Sequence, residues 1–109
     1  MPLDGGPTPA QLWRIRGYAL QGLGRSAEAA DCYTRVVERE PGDFESWNNL
    51  GNARREAGDF DGAVTALSEA SRLRPDMAVL HVNLAAALLE AGRPDESLAA
   101  AQRAGHRSR

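Results

Sequence analysis

Apolar and small residues along this chain fall at the spacing of helix faces, and the whole pattern returns every 34 residues. Trp13 and Trp47 are one interval apart, and His81 stands at the next. Gly24, Gly58 and Gly92 keep the same step, as do Pro41 and Pro75. A repeat of this length is one helix–turn–helix unit of a stacked array, because a single pair of helices cannot bury its own apolar face. The chain divides into a flexible lead over 1–7 and a single domain over 8–109, built of units 10–43, 44–77 and 78–109.

The middle unit is the most regular. Trp47, Leu50, Gly51 and Arg54 lie at i, i+3, i+4 and i+7, one face of a helix expected from about Phe44 to Ala57 with Asp43 as its N-cap. Gly58 supplies a left-handed stop, and Asp59 caps a second helix from about Phe60 to Leu73, with Ala63, Leu67 and Ala70 facing inward. Pro75 closes the unit, and Asp76 is the cap expected for the next. The first unit opens with Thr8 as N-cap and Pro9 at the first helical position. It then places Trp13, Gly17 and Leu20 on its first helix and Ala29, Tyr33 and Val36 on its second. The third has Leu84, Ala85 and Leu88, the turn Gly92-Arg93-Pro94, and an inward stripe of Ser97, Ala101 and Ala104. Glycine or alanine at 17, 51 and 85 allows close helix approach, while Trp, Tyr and Leu fill the space that remains and put Trp13 and Trp47 in the core.

These residues resemble the tetratricopeptide repeat over about 100 of the 109 positions. In the middle unit W-x2-L-G starts at Trp47, G-x4-A runs from Gly58 to Ala63, and Pro75 ends the unit. The resemblance implies an all-α, right-handed superhelical solenoid of three antiparallel helix pairs. Several positions depart from the pattern. Arg16 and Arg54 stand where apolar residues are usual, His81 replaces tryptophan, and Ser97 and Ala101 replace an alanine and an aromatic. His81 reads as a buried packing histidine or as a pH-sensitive one. The last helix leaves an Ala-rich stripe over 98–104 without a cover, which suggests a segment of a longer protein or self-association through that helix.

Composition adds exclusions. Hydrophobic residues are 42%, charged residues 26%, and the formal net charge is -2, so the broad basic field of a nucleic-acid binder is missing. No apolar run reaches the roughly 18 residues of a membrane span, the first ten residues lack the pattern of a signal peptide, and the cytoplasm is the default location. Cys32 is a lone thiol, read as a small apolar helix residue. No nucleophile elbow, Walker loop or zinc-ligand spacing is present, so neither catalysis nor a cofactor or metal is expected. The basic ending with Arg103, Arg107 and Arg109 suits the negative end of a helix dipole.

What remains is binding. In stacked helix pairs one helix of each pair lines an extended concave surface. The resemblance assigns that role to the first helix, on the side opposite its packing face. The candidate peptide-binding groove then comprises Arg14 and Tyr18 from the first unit, with Gln11 and Gln21 beside them. The second unit adds Glu45, Asn48, Asn49, Asn52 and Arg55, followed by Glu56, and the third Val79, Val82, Asn83 and Ala86, followed by Leu89 and Glu90. Asn49 and Asn83 are one period apart, and each amide can pair with a peptide N–H and C=O together. They resemble the asparagine ladder of the repeat arrays of protein O-GlcNAc transferases, which Ile15 interrupts in the first unit. The carboxylate clamp of co-chaperone repeat domains fits less well. Its positions hold Arg14, Tyr18, Asn49, Val79 and Asn83, of which two are compatible, and both cations of the third unit are lost. The expected partner is a protein or peptide. Alternatives are a substrate-recognition segment of a larger bacterial sulfotransferase- or glycosyltransferase-type enzyme, and a self-assembling structural module.

Overall fold

The computed structural model describes residues 6–106 as six helices: α1 (Pro9–Gly22), α2 (Ser26–Arg39), α3 (Phe44–Glu56), α4 (Phe60–Leu73), α5 (Ala78–Glu90) and α6 (Pro94–His106). Most of the expected lead, together with Arg107 and Arg109, lies outside the described residues. Each helix packs on the next in chain order, giving three antiparallel pairs stacked into an elongated body of 51 × 29 × 20 Å. This is a helical-repeat solenoid.

Side-chain caps set three of the helix starts. Thr8 forms a reciprocal capping box, accepting from the Gln11 N–H at 3.1 Å while Gln11 Oε1 accepts from the Thr8 N–H at 2.8 Å. Asp43 accepts from the Ser46 N–H, and Asp59 from the Gly62 N–H. Asp76 does not cap α5. The N-cap is Met77, one period after Asp43 and without a side-chain bond, while the Asp76 carboxylate pairs with Arg74 at 3.0 Å. The turn within each pair passes through Gly24, Gly58 and Gly92, at φ of 79°, 87° and 79°. That region is strained for any side chain, so the period of the glycines is a period of backbone conformation.

Two clusters make the core. One joins Ala29, Tyr33, Val37, Leu50, Ala53 and Ala66, and the other Ala63, Val64, Leu67, Leu84, Ala87, Leu88 and Ala100. Close approach within a pair relies on the absence of a side chain. A Cβ on Gly17 would meet the Tyr33 ring at 2.5 Å, and one on Gly51 would meet Leu67 Cγ at 2.4 Å. The third unit places Ala85 and Ala101 at the two equivalent positions, so the pair of sizes changes together.

Three expectations about the core need correction. Trp13 and Trp47 are half-buried. Trp47 packs on the first cluster and its indole N–H donates to the Pro41 carbonyl at 2.8 Å. Two guanidiniums lie over the Trp13 ring, Arg16 at 4.8 Å and Arg35 at 4.5 Å from its centre, which gives the unexpected Arg16 its packing role. In α6 the buried stripe is Ser97, Ala100 and Ala104, whereas Ala101 is exposed. Its equivalents Tyr33 and Leu67 are fully buried, but no seventh helix covers α6 among the described residues.

Candidate functional site

The first helices of successive units are joined directly through side chains one residue beyond the repeat. Gln21 donates to Glu56 at 3.2 Å, Asn83 donates to Asn48 at 3.0 Å, and Arg55 grips Glu90 through two bonds of 2.7 and 3.0 Å. Gln21–Glu56 and Arg55–Glu90 occupy the same two positions in successive units, so the period repeats this link as well as the core.

Two cavities open on this side. One, of about 270 Å³, is lined by Tyr18, Phe44, Glu45, Asn48, Asn49, Met77, Val79 and Leu80. The other, of about 510 Å³, is lined by Gln21, Asn49, Asn52, Arg55, Glu56, Asn83 and Glu90. Asn49 belongs to both. The first is amphipathic, with aromatic and aliphatic walls beside two amides and a carboxylate; the second is entirely polar.

Most of the residues singled out from sequence therefore lie together. Tyr18, Glu45, Asn48, Asn49 and Val79 share the smaller cavity, and Asn52, Arg55 and Asn83 join Asn49 in the larger one. Val82 is exposed and Ala86 half-buried on α5, flanking Asn83 outside these two cavities. Arg14 turns away. Its guanidinium bridges Glu40 and Asp43, both at 2.9 Å, and reaches the Ser46 hydroxyl at 3.4 Å, tying α1 to the corner between α2 and α3. Tyr18 rests its ring against Tyr33 at 6.0 Å between centres.

The electrostatics follow from these pairings. The Arg55 guanidinium holds the Glu90 carboxyl below the ordinary glutamate range, chiefly through the hydrogen bond between them. Burial pushes Asp43 upward, but bonds from Ser46 and Arg14 together outweigh it and leave the carboxyl lowered. Tyr33 is fully buried, and that burial raises its phenol to about 12; the hydroxyl donates to Gln21 Oε1 at 2.6 Å. Burial likewise pushes the Cys32 thiol up, as befits a packing residue. Among the described residues no group of three or more His, Cys, Asp or Glu side chains is arranged to hold a metal, and no helix is long and apolar enough to cross a membrane.

Two parts of the site escaped the sequence reading. Phe44, Met77 and Leu80 line the smaller cavity from helix starts. The other is the consumption of Arg55 by Glu90. The 35-residue spacing of that pair was visible, with Gln21 and Glu56 as its precedent, once each first helix is set beside the next.

Two tetratricopeptide-repeat family profiles match the sequence, one over residues 16–63 and the other over 54–109. Among solved structures the chain is similar to MamA. A MamA point mutant is 25% identical at a TM-score of 0.84, with 96% of this chain and 77% of that one covered. MamA AMB-1 is 25% identical at 0.83, covering 95% and 61%. MamA MSR-1 is 23% identical at 0.83, covering 91% and 57%. The chain thus spans less than two thirds of the length of the AMB-1 and MSR-1 proteins. No curated protein matches the sequence.

Proposed function

The chain belongs to the tetratricopeptide-repeat family, and from that premise we propose that this interaction module holds a peptide segment of a partner protein against the inner side of α1, α3 and α5. The observation that carries the reading is the convergence of Tyr18, Asn49, Val79 and Asn83, from three separate units, on two adjoining cavities. Asn49 and Asn52 make no side-chain hydrogen bond to another described residue, so their amides are available to a peptide backbone. Asn83 has one donor committed to Asn48 and keeps its carbonyl. The ladder is thus staggered: the amide at the sixth position of one unit meets the fifth position of the unit before. In the first unit that fifth position is Arg14, which is engaged elsewhere and leaves Asn49 without a rung partner. A terminal carboxylate finds little here, since Arg14 and Arg55 are both neutralised by acidic partners.

A second reading is self-association through the last helix, favoured by Leu98, which is 60% exposed, and by the bare Ala101 beside it. One experiment separates the two. Partners are captured on immobilised protein and titrated against wild type, an Asn49→Ala/Asn83→Ala double variant and Leu98→Glu. The groove reading predicts that the double variant loses about 1–3 kcal/mol of binding while Leu98→Glu binds normally. Unchanged affinity of the double variant refutes it, and loss confined to Leu98→Glu supports self-association.

A further inference from the structure

The inner surface is acidic in a patterned way. Its two cavities hold one guanidinium, Arg55, against three carboxylates: Glu56 and Glu90 around it, and Glu45 alone. Glu45 is exposed and makes no hydrogen bond or ion pair with another described residue. Glu56 accepts from two neutral donors, Gln21 and the Ser26 hydroxyl at 2.9 Å, and lies within the field of Arg55, whose own bonds go to Glu90. Glu45 and Glu56 are eleven positions apart on α3, which brings them back to the same side of the helix about 16 Å apart. Asn48, Asn49 and Asn52 fill the interval, and the apolar wall of Tyr18, Phe44 and Val79 stands at the Glu45 end.

We propose that the occupant of this groove is a cationic, apolar peptide segment. An aliphatic or aromatic side chain seats beside Tyr18, Phe44 and Val79, and two Lys or Arg residues meet Glu45 and Glu56. In an extended chain rising about 3.3 Å per residue, those cations stand about five residues apart. The asparagines between them hold the backbone, and the carboxylates select the charge. An acidic segment is rejected, because it would meet the unpaired Glu45 at one end of α3 and the net negative group of Glu56, Arg55 and Glu90 at the other.

This inference rests on the groove reading, and selection from a library of random 12-residue peptides tests both. Wild type is used as bait, and enriched peptides are titrated against Glu45→Gln/Glu56→Gln and against Asn49→Trp, which fills the junction of the two cavities. Each variant is first shown to keep wild-type helical circular dichroism. Enriched peptides are expected to carry two basic residues about five apart with an apolar residue beside one of them. They should bind about fivefold more weakly to the carboxamide variant and weaken further with salt. Peptides that need an open Asn49 site but are acidic, or are indifferent to the carboxamide variant, overturn the charge assignment and leave the groove standing. Peptides indifferent to Asn49→Trp, or a selection that enriches nothing, overturn the groove reading and this inference with it.

Discussion

His81 shows how one substitution can keep a repeat's geometry while losing part of its chemistry. Trp47 donates its indole N–H to the Pro41 carbonyl six residues earlier, and His81 Nε2 stands 2.9 Å from the Pro75 carbonyl at the same separation. The imidazole thus reproduces the tether between a first helix and the proline that precedes it, provided Nε2 carries the proton. The cost is at the other nitrogen. Nδ1 is buried without a partner among the described residues, in a residue only 5% exposed, whereas indole has no second polar atom to satisfy. His81→Trp should therefore keep the tether, remove the orphan acceptor and stabilise the chain by about 1 kcal/mol in denaturant unfolding. A destabilised variant would mean that the pocket around position 81 has shrunk to fit the smaller ring.

At the scale of the element, each unit is a first helix lacking a side chain at one point and a second helix filling that point. Gly17 receives Tyr33, and Gly51 receives Leu67. Gly51→Ala should cost about 1–3 kcal/mol in thermal or chemical unfolding, because backbone or Leu67 must move. Adding Leu67→Ala to that variant should cost less than Leu67→Ala does in the wild-type background, where about 2–5 kcal/mol is expected, since the new methyl occupies part of the cavity. Full additivity of the two changes would contradict the contact. Helices were legible in the sequence to within a residue where a side chain caps them, as at Thr8, Asp43 and Asp59. At α5 residue chemistry and repeat register disagree: Asp76 has the right chemistry for a cap, but the position one period after Asp43 is Met77, and the helix starts in register. Ala101 departs from the pattern for a different reason. A periodic pattern assigns burial by analogy with earlier units, whereas Tyr33 packs in a cluster with residues of the next helix and no helix follows α6 among the described residues.

For the whole molecule, stacking turns a one-dimensional period into a surface. Positions one period apart align on successive first helices, as Asn49 and Asn83 do, and this is what makes a candidate groove legible in the sequence. Their pairing was hidden, because neighbouring helices meet with a one-residue offset: Asn83 reaches Asn48, and Arg55 is spent on Glu90. The result is an inner side rich in amides and carboxylates with its cations already paired, flanked by an apolar hollow assembled from all three units. The most direct test of peptide binding on that side is backbone-amide chemical-shift mapping of the isotope-labelled chain saturated with a captured partner segment. Shifts concentrated on α1, α3 and α5 around Tyr18, Asn49, Val79 and Asn83 are the predicted result. Shifts concentrated on α2 and α4, or on the outer side of α6 around Leu98 and Ala101, would contradict it.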